Sequence, residues 1–167
     1  PAFGTGHHGT TRGCLIAFDE MLTAGFAPKT VFDLGCGTAA LAIAAAKVLP
    51  DAEVIASDID PEAVEESAEN CTKNATPGIE CFVAEGLDHG KLAGREFELI
   101  FANILAGPLV DLAPGIARAL APGGRVILSG LLTEQEPWVR AAYESAGLDV
   151  HRQPPLEGWE CLVASKR

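Results

Sequence analysis

Two glycines and three carboxylates pose the first chemical question. The segment Asp33-Leu34-Gly35-Cys36-Gly37-Thr38-Ala39 places a G-x-G turn between the run Thr30-Val31-Phe32-Asp33-Leu34 and the small-residue stretch Ala39 to Leu49. Gly35 and Gly37 allow a tight turn and let a ligand approach bare backbone beside the positive end of a helix. An ordinary strand-to-helix turn would account for the glycines alone. Asp58 adds context, because it lies 23 positions after Gly35, at the end of a second apolar run. In an open α/β sheet a carboxylate there faces the crevice and accepts hydrogen bonds from ribose hydroxyls. Asp60 competes for that role, but Pro61 follows it, which suits Asp60 to capping a helix and leaves the ribose to Asp58. A dinucleotide site would share such an acid. Its G-x-G-x-x-G pattern, however, gives no reason for Asp33 two residues before the first glycine.

These residues need a frame, and the chain supplies one by alternating β-branched runs with helical stretches, the pattern of an α/β domain around a mostly parallel sheet. A leading helix is expected over Thr10 to Ala24, with Leu15, Phe18 and Leu22 at helical spacing and Gly25 as its stop. Strands are expected at Thr30 to Leu34, Val54 to Ser57, Ile79 to Ala84, Leu99 to Ala102, Arg125 to Ser129, Asp149 to Arg152 and Glu160 to Ala164. Helices are expected after the first two strands, near Leu109 to Leu120, and over Glu134 to Ala146, the last with Thr133 and Glu136 as a capping box. Only Gln153-Pro154-Pro155-Leu156 separates the final two strands, so one pair near the C-terminus should be antiparallel.

Composition bounds the function. The chain has 167 residues, enough for one domain over 1–167, with 48% hydrophobic and 21% charged residues and no repeat or internal linker. Twelve Lys and Arg against twenty-three Asp and Glu give a net charge of -11, which argues against nucleic-acid binding and favours a basic protein partner. The longest uninterrupted apolar run, Ala39 to Ala46, is far short of the roughly 20 residues that cross a bilayer. No secretory signal is visible. The five cysteines, Cys14, Cys36, Cys71, Cys81 and Cys161, form no C-x-x-C pair and read as reduced thiols in a cytoplasmic protein. His7 and His8 lack a carboxylate or cysteine at ligand spacing, so no metal site is expected. His89, His151, Trp138 and Trp159 read as surface or packing residues.

Beyond the residues themselves stands a family resemblance. Asp33-Leu34-Gly35-Cys36-Gly37 resembles the first motif of class I S-adenosylmethionine-dependent methyltransferases, and Leu120-Ala121-Pro122-Gly123-Gly124 resembles their lead-in to the fifth strand. Ala2-Phe3-Gly4-Thr5-Gly6-His7-His8-Gly9-Thr10-Thr11 resembles the A-F-G-T-G-x-H-x-T-T signature of the ribosomal protein L-eleven methyltransferases. Asn103-Ile104-Leu105-Ala106 resembles the N-I-L-A loop of the same family. The resemblance implies a Rossmann-like domain with a seven-stranded sheet and an antiparallel C-terminal strand. It implies S-adenosylmethionine as cofactor, S-adenosylhomocysteine as product, and lysine or α-amino nitrogens of ribosomal protein L-eleven as acceptors.

By similarity, Thr11, Gly35, Gly37, Asp58 and Asn103 would contact the cofactor, with Asp33 near its amino-acid end and Glu85-Gly86-Leu87 beside the adenine. His8 would hold its loop over the cofactor, and Cys36 would pack beneath it. Asn103, Ile104 and Leu105 would form the catalytic loop, Asn103 orienting the acceptor nitrogen. One position departs from the family, which commonly has a third glycine where this chain has Ala39. The family's N-terminal substrate-recognition domain has no counterpart in this sequence, which matches the catalytic domain alone and is expected to act as a monomer. Methylation of another protein or a small amine, and a non-catalytic cofactor-binding module, are the alternative readings; a nicotinamide dehydrogenase is the rival by fold analogy.

Overall fold

The structure is a computed structural model, and it describes residues 9–167. The signature residues up to His8, including the two adjacent histidines, lie outside the described residues. Thirteen elements follow in order: α1 (Gly9–Thr23), β1 (Thr30–Leu34), α2 (Ala40–Val48), β2 (Glu53–Asp58), α3 (Pro61–Lys73), β3 (Glu80–Val83), β4 (Phe97–Asn103), α4 (Ala106–Ala119), β5 (Leu120–Leu132), a 3₁₀ turn (Thr133–Gln135), α5 (Glu136–Ser145), β6 (Asp149–Arg152) and β7 (Trp159–Ser165). The strands form one seven-stranded sheet in the order β3-β2-β1-β4-β5-β7-β6. β1 to β5 pair in parallel, and β7 runs antiparallel to both β5 and β6. This is the mostly parallel α/β sheet that the alternation of elements implied, and its seven strands with an antiparallel C-terminal strand agree with the Rossmann-like fold that the resemblance implied.

The alternation of side chains along each strand decides what lies on which face. Phe32, Leu34, Ile100, Ala102, Val126 and Leu128 point toward α4 and α5, where they join Phe97, Leu109, Ile116 and Tyr143 in one core cluster. Val31, Leu99, Phe101 and Ile127 point the other way, into a cluster with Cys14, Phe18, Ala42, Ala45 and Cys71 from α1, α2 and α3. The polar residues Asp33, Asn103 and Ser129 continue the second register, so they meet the α1 and α2 side near the carboxyl ends of their strands.

Several boundaries differ from those expected. α4 begins at Ala106 rather than Leu109, with no side chain capping it. β5 begins at Leu120, because that residue already pairs with Phe97 before the Gly123-Gly124 bend. Thr133 and Glu136 do not form a capping box: the Gln135 carboxamide accepts the Leu132 N–H at 2.8 Å, and Arg140 holds Glu136. Asp60 does cap α3, accepting the Glu62 N–H at 2.9 Å, and Pro61 follows it. His151 is exposed on the edge strand β6, as expected, whereas His89 is half-buried against Phe82, with ring centroids 4.8 Å apart and planes tilted by 45°. Trp138 is not a packing residue: it is 53% exposed on α5.

Candidate functional site

A cleft of about 760 Å³ opens at the carboxyl ends of β1, β2 and β4, within the size range of small-molecule sites. Gly35, Gly37, Asp58, Glu85, Gly86, Asn103, Ile104 and Leu105 line it, so eight sequence-nominated residues converge there from four separate segments. Ser57, Ile59, Asp88, Pro108, Asp111 and Leu112 line it too, and the sequence reading passed over them. Convergence at the point where the strand order reverses is where open α/β sheets hold their ligands.

The glycine turn is held in shape by carboxylates and hydroxyls. Gly35 and Gly37 have φ of +70° and +55°, which only glycine adopts without strain. The Gly37 N–H donates to Asp58 Oδ2 at 3.0 Å, and the Asp60 N–H donates to Asp58 Oδ1 at 3.0 Å. Each carboxylate oxygen carries further lone pairs, so Asp58 keeps acceptor capacity toward the cleft. From α3, Ser67 donates to the Gly37 carbonyl at 2.6 Å and Asn70 to the Thr38 carbonyl at 3.0 Å. Neither residue was nominated from sequence, since polar residues on a helix usually read as a solvated face.

Asp33 lies below the turn rather than on the cleft wall. It is 1% exposed, and its Oδ2 accepts the Ala42 N–H of α2 at 3.1 Å. Desolvation pushes its carboxyl up to about 7, opposed by that hydrogen bond and assisted by the Asp58 charge. Cys36 is buried against Ser67, with Sγ and Oγ 3.3 Å apart, and burial pushes its thiol far above the ordinary range. A thiol so held is no nucleophile. All five cysteines are free, and the Cys71 and Cys81 sulfurs lie 3.9 Å apart.

Asn103 is the most unusual group of the site. It ends β4, is 6% exposed, and its Nδ2 donates to Thr11 Oγ1 at 3.3 Å. Its Oδ1 is buried with no hydrogen-bond partner among the described residues. A buried acceptor left unpaired costs roughly 1 to 3 kcal/mol, which a protein retains where a ligand completes the bond. Thr11 therefore positions Asn103 from behind, while Ser129 fixes the same helix start by donating to the Thr10 carbonyl at 3.1 Å.

The loop after Asn103 rests on two glycines. A Cβ on Gly35 would stand 2.4 Å from the Ile104 side chain, and one on Gly130 would stand 2.2 Å from the Ile104 carbonyl. The Ile104 N–H donates to Ser129 at 3.1 Å, which seats the loop in that notch. Gly130 has φ +91° at a register shift in β5, so an isolated glycine inside an apolar run was its one sequence signal. On the far side, Gly86 (φ +58°) packs on Leu112 of α4. Leu87 joins the α4 side of the core rather than the cleft wall.

Comparison with known proteins agrees with this geometry. The whole chain, residues 1–167, matches the family described as Ribosomal protein L11 methyltransferase (PrmA). A protein of that description from Bradyrhizobium diazoefficiens is 52% identical over 167 residues, covering 99% of this chain and 56% of the relative. Its counterpart from Brucella suis is 48% identical over 163 residues, covering 96% and 56%. The crystal structure of a ribosomal protein L11 methylase from Lactobacillus delbrueckii subsp. bulgaricus superposes with a TM-score of 0.84 at 32% identity, covering 97% of this chain and 81% of that one. A methyltransferase from Pyrococcus furiosus, at 20% identity and a TM-score of 0.74 over 91% of this chain and 82% of its own, shares the fold. The chain spans little more than half the length of the curated relatives it matches. With residues 1–167 matched and the fold shared, this chain belongs to the ribosomal protein L11 methyltransferase family.

Proposed function

We propose that this chain transfers a methyl group from S-adenosylmethionine to an amino nitrogen of ribosomal protein L-eleven, a lysine Nζ or the α-amino group, with S-adenosylhomocysteine as the second product. The observation that carries the reading is the unpaired, buried Asn103 Oδ1 in the cleft wall. Family membership supports the choice of cofactor and substrate.

The residues present fit the cofactor. Gly35 and Gly37 expose bare backbone to the cleft, Asp58 retains lone pairs for ribose hydroxyls, and the cleft volume suits a nucleoside-sized ligand. The Glu85-Gly86 turn would border the adenine, and Thr11 would act through Asn103. When bound, S-adenosylmethionine supplies a methyl group already activated on a sulfonium. The chain therefore needs no strong acid or base at the reacting atoms; it has to position a neutral nitrogen.

Asn103 performs that task by accepting an N–H of the incoming amine at Oδ1, which turns the nitrogen lone pair into the cleft. A free lysine titrates near about 10.4, so the amine must arrive neutral. The apolar walls of Ile104, Leu105 and Pro108 disfavour the ammonium form, and the open mouth lets its proton leave to water. All of these groups come from one chain, so the reading asks for no second copy. A ribosomal protein substrate places the reaction in the cytoplasm; no described helix is long and apolar enough to cross a membrane.

The test joins two measurements. Calorimetry with S-adenosylmethionine should show saturable binding, and labelled cofactor should transfer methyl to purified ribosomal protein L-eleven. Binding without label in any protein or small amine would leave a cofactor-binding module in place of an enzyme.

A further inference from the structure

Three large apolar side chains stand exposed at the carboxyl edge of the sheet, and one of them, Leu105, lines the cleft. Leu105 is 59% exposed, Leu132 42% and Trp138 53%. Burial of Trp138 would have made it part of the core, so its exposure needs an explanation of its own.

The fold brings the three together. β5 ends against the β4 loop: Asn103 pairs with Ser129, and Gly130 is notched around the Ile104 carbonyl. Leu132 therefore leaves the sheet beside Leu105, and the 3₁₀ turn Thr133–Gln135 carries the chain into α5. On α5 the side chains of Glu136, Val139 and Tyr143 point inward, and Arg140 reaches the Val150 carbonyl of β6. Trp138 lies about 160° around the helix from Arg140, so it faces away from β6 and toward α4. α4 is the neighbour on that side, because it packs on β5 while α5 packs on β6 and β7, and the sheet runs β4-β5-β7-β6.

Charge selects the occupant. Glu134 beside Leu132, and Asp88 and Asp111 at the cleft, are exposed, and none is ion-paired among the described residues. Arg140, on the same helix as Trp138, is committed to Glu136, and Arg12 to Glu157. A second copy of the chain, itself at net charge -11, would bring like charges to the same rim. An apolar centre with an acidic rim suits a basic chain.

We propose that Leu105, Leu132 and Trp138 form a docking lip for the lysine-bearing segment of the basic protein substrate, with Trp138 as its anchor. The proposal rests on the methyl-transfer reading of the cleft and adds the path by which the acceptor amine approaches. Trp138 is a positioning residue, since it meets the segment flanking the amine rather than the reacting atoms.

The test measures binding of purified ribosomal protein L-eleven to this chain by calorimetry, with S-adenosylmethionine titrated separately. Trp138→Ala should weaken protein binding about tenfold or more, Trp138→Phe should retain most of it, and Leu132→Asp should also weaken it. Cofactor affinity and circular dichroism should stay unchanged in all three. Equal protein binding by Trp138→Ala overturns the proposal. So does the absence of protein binding by the unaltered chain, or a concentration-dependent dimer that Trp138→Ala dissolves. Methyl transfer is scored separately: its absence, with binding still dependent on Trp138, supports the lip and removes the catalytic reading of the cleft.

Discussion

The two faces of the sheet are filled by different kinds of side chain. Toward α4 and α5 the core is built from large residues, with Phe32, Phe97, Leu109, Ile116, Leu120 and Tyr143 all fully buried. Toward α1, α2 and α3 Phe18, Leu99, Phe101 and Ile127 share the core with Cys14, Ala42, Ala45 and Cys71, and the polar groups that meet the glycine turn and the cleft are buried there: Asp33, Asn103, Ser67 and Ser129. Small side chains let the helix backbones approach the strands and the glycine turn closely enough for direct hydrogen bonds, such as Ala42 N–H to Asp33 and Ser67 to the Gly37 carbonyl. The face toward α4 and α5 anchors the sheet, and the face toward α1, α2 and α3 shapes the site. On the anchoring face the buried Tyr143 hydroxyl donates to the Leu109 carbonyl, and Glu136 and Glu160 pair with Arg140 and Arg152, whereas the shaping face keeps an unpaired Asn103 Oδ1.

The strongest way to break that division is to empty the anchoring face. Phe97→Ala should cost about 3 to 5 kcal/mol in denaturant unfolding, because a fully buried ring stacked on Phe32 at 5.1 Å leaves a cavity. A loss below about 1 kcal/mol would show that this face is not the anchor.

Asp33 sharpens the comparison through pH. Its carboxyl is pushed up to about 7 by burial, while the unfolded chain loses that proton near 3.8. Between those values the native state binds the extra proton, so this group's contribution to stability falls as pH rises from about 4 to about 7. The total is on the order of 4 kcal/mol. Asp33→Asn keeps the acceptor for the Ala42 N–H and should flatten that slope, measured by urea unfolding across the same window. Parallel slopes for parent and variant would place the titration elsewhere.

Asp58→Ala removes the proposed ribose acceptor and also unties the Gly37 and Asp60 N–H groups. Cofactor affinity should fall more than tenfold by calorimetry, in keeping with about 1 to 3 kcal/mol for unpaired polar groups. The smallest effect is expected at Ala39, which holds φ +66° with no side-chain cap at the start of α2. The departure from glycine matters through this backbone conformation as well as through the added methyl group. Ala39→Gly should raise stability by about 0.5 to 1 kcal/mol in thermal unfolding, by relieving left-handed strain. A lower melting temperature would mean that the buried methyl contributes more than the strain removes.

These residues also show how much of the molecule was legible in its sequence. The place of Gly35, Gly37 and Asp58 in the cleft was readable because it follows from local spacing within one strand-turn-helix unit and the strand after it. Asp60 was readable because capping is local. Gly130, Ser67 and Asn70 were not, since each is needed only by a partner far along the chain: the Ile104 carbonyl, and the Gly37 and Thr38 carbonyls. Trp138 misled for the opposite reason, as an aromatic residue on an amphipathic helix usually packs inward. Asp33 was found by motif, and strand alternation then turned it toward α2 instead of the cleft.

The most direct test of the central claim is single-turnover methyl transfer to ribosomal protein L-eleven by Asn103→Ala, with cofactor saturating and its affinity measured in parallel. The account predicts a folded variant whose transfer rate falls by roughly a hundredfold or more, since the amine loses the acceptor that positions it. A rate within about threefold of the parent would show that Oδ1 does not orient the acceptor nitrogen, and would contradict the account.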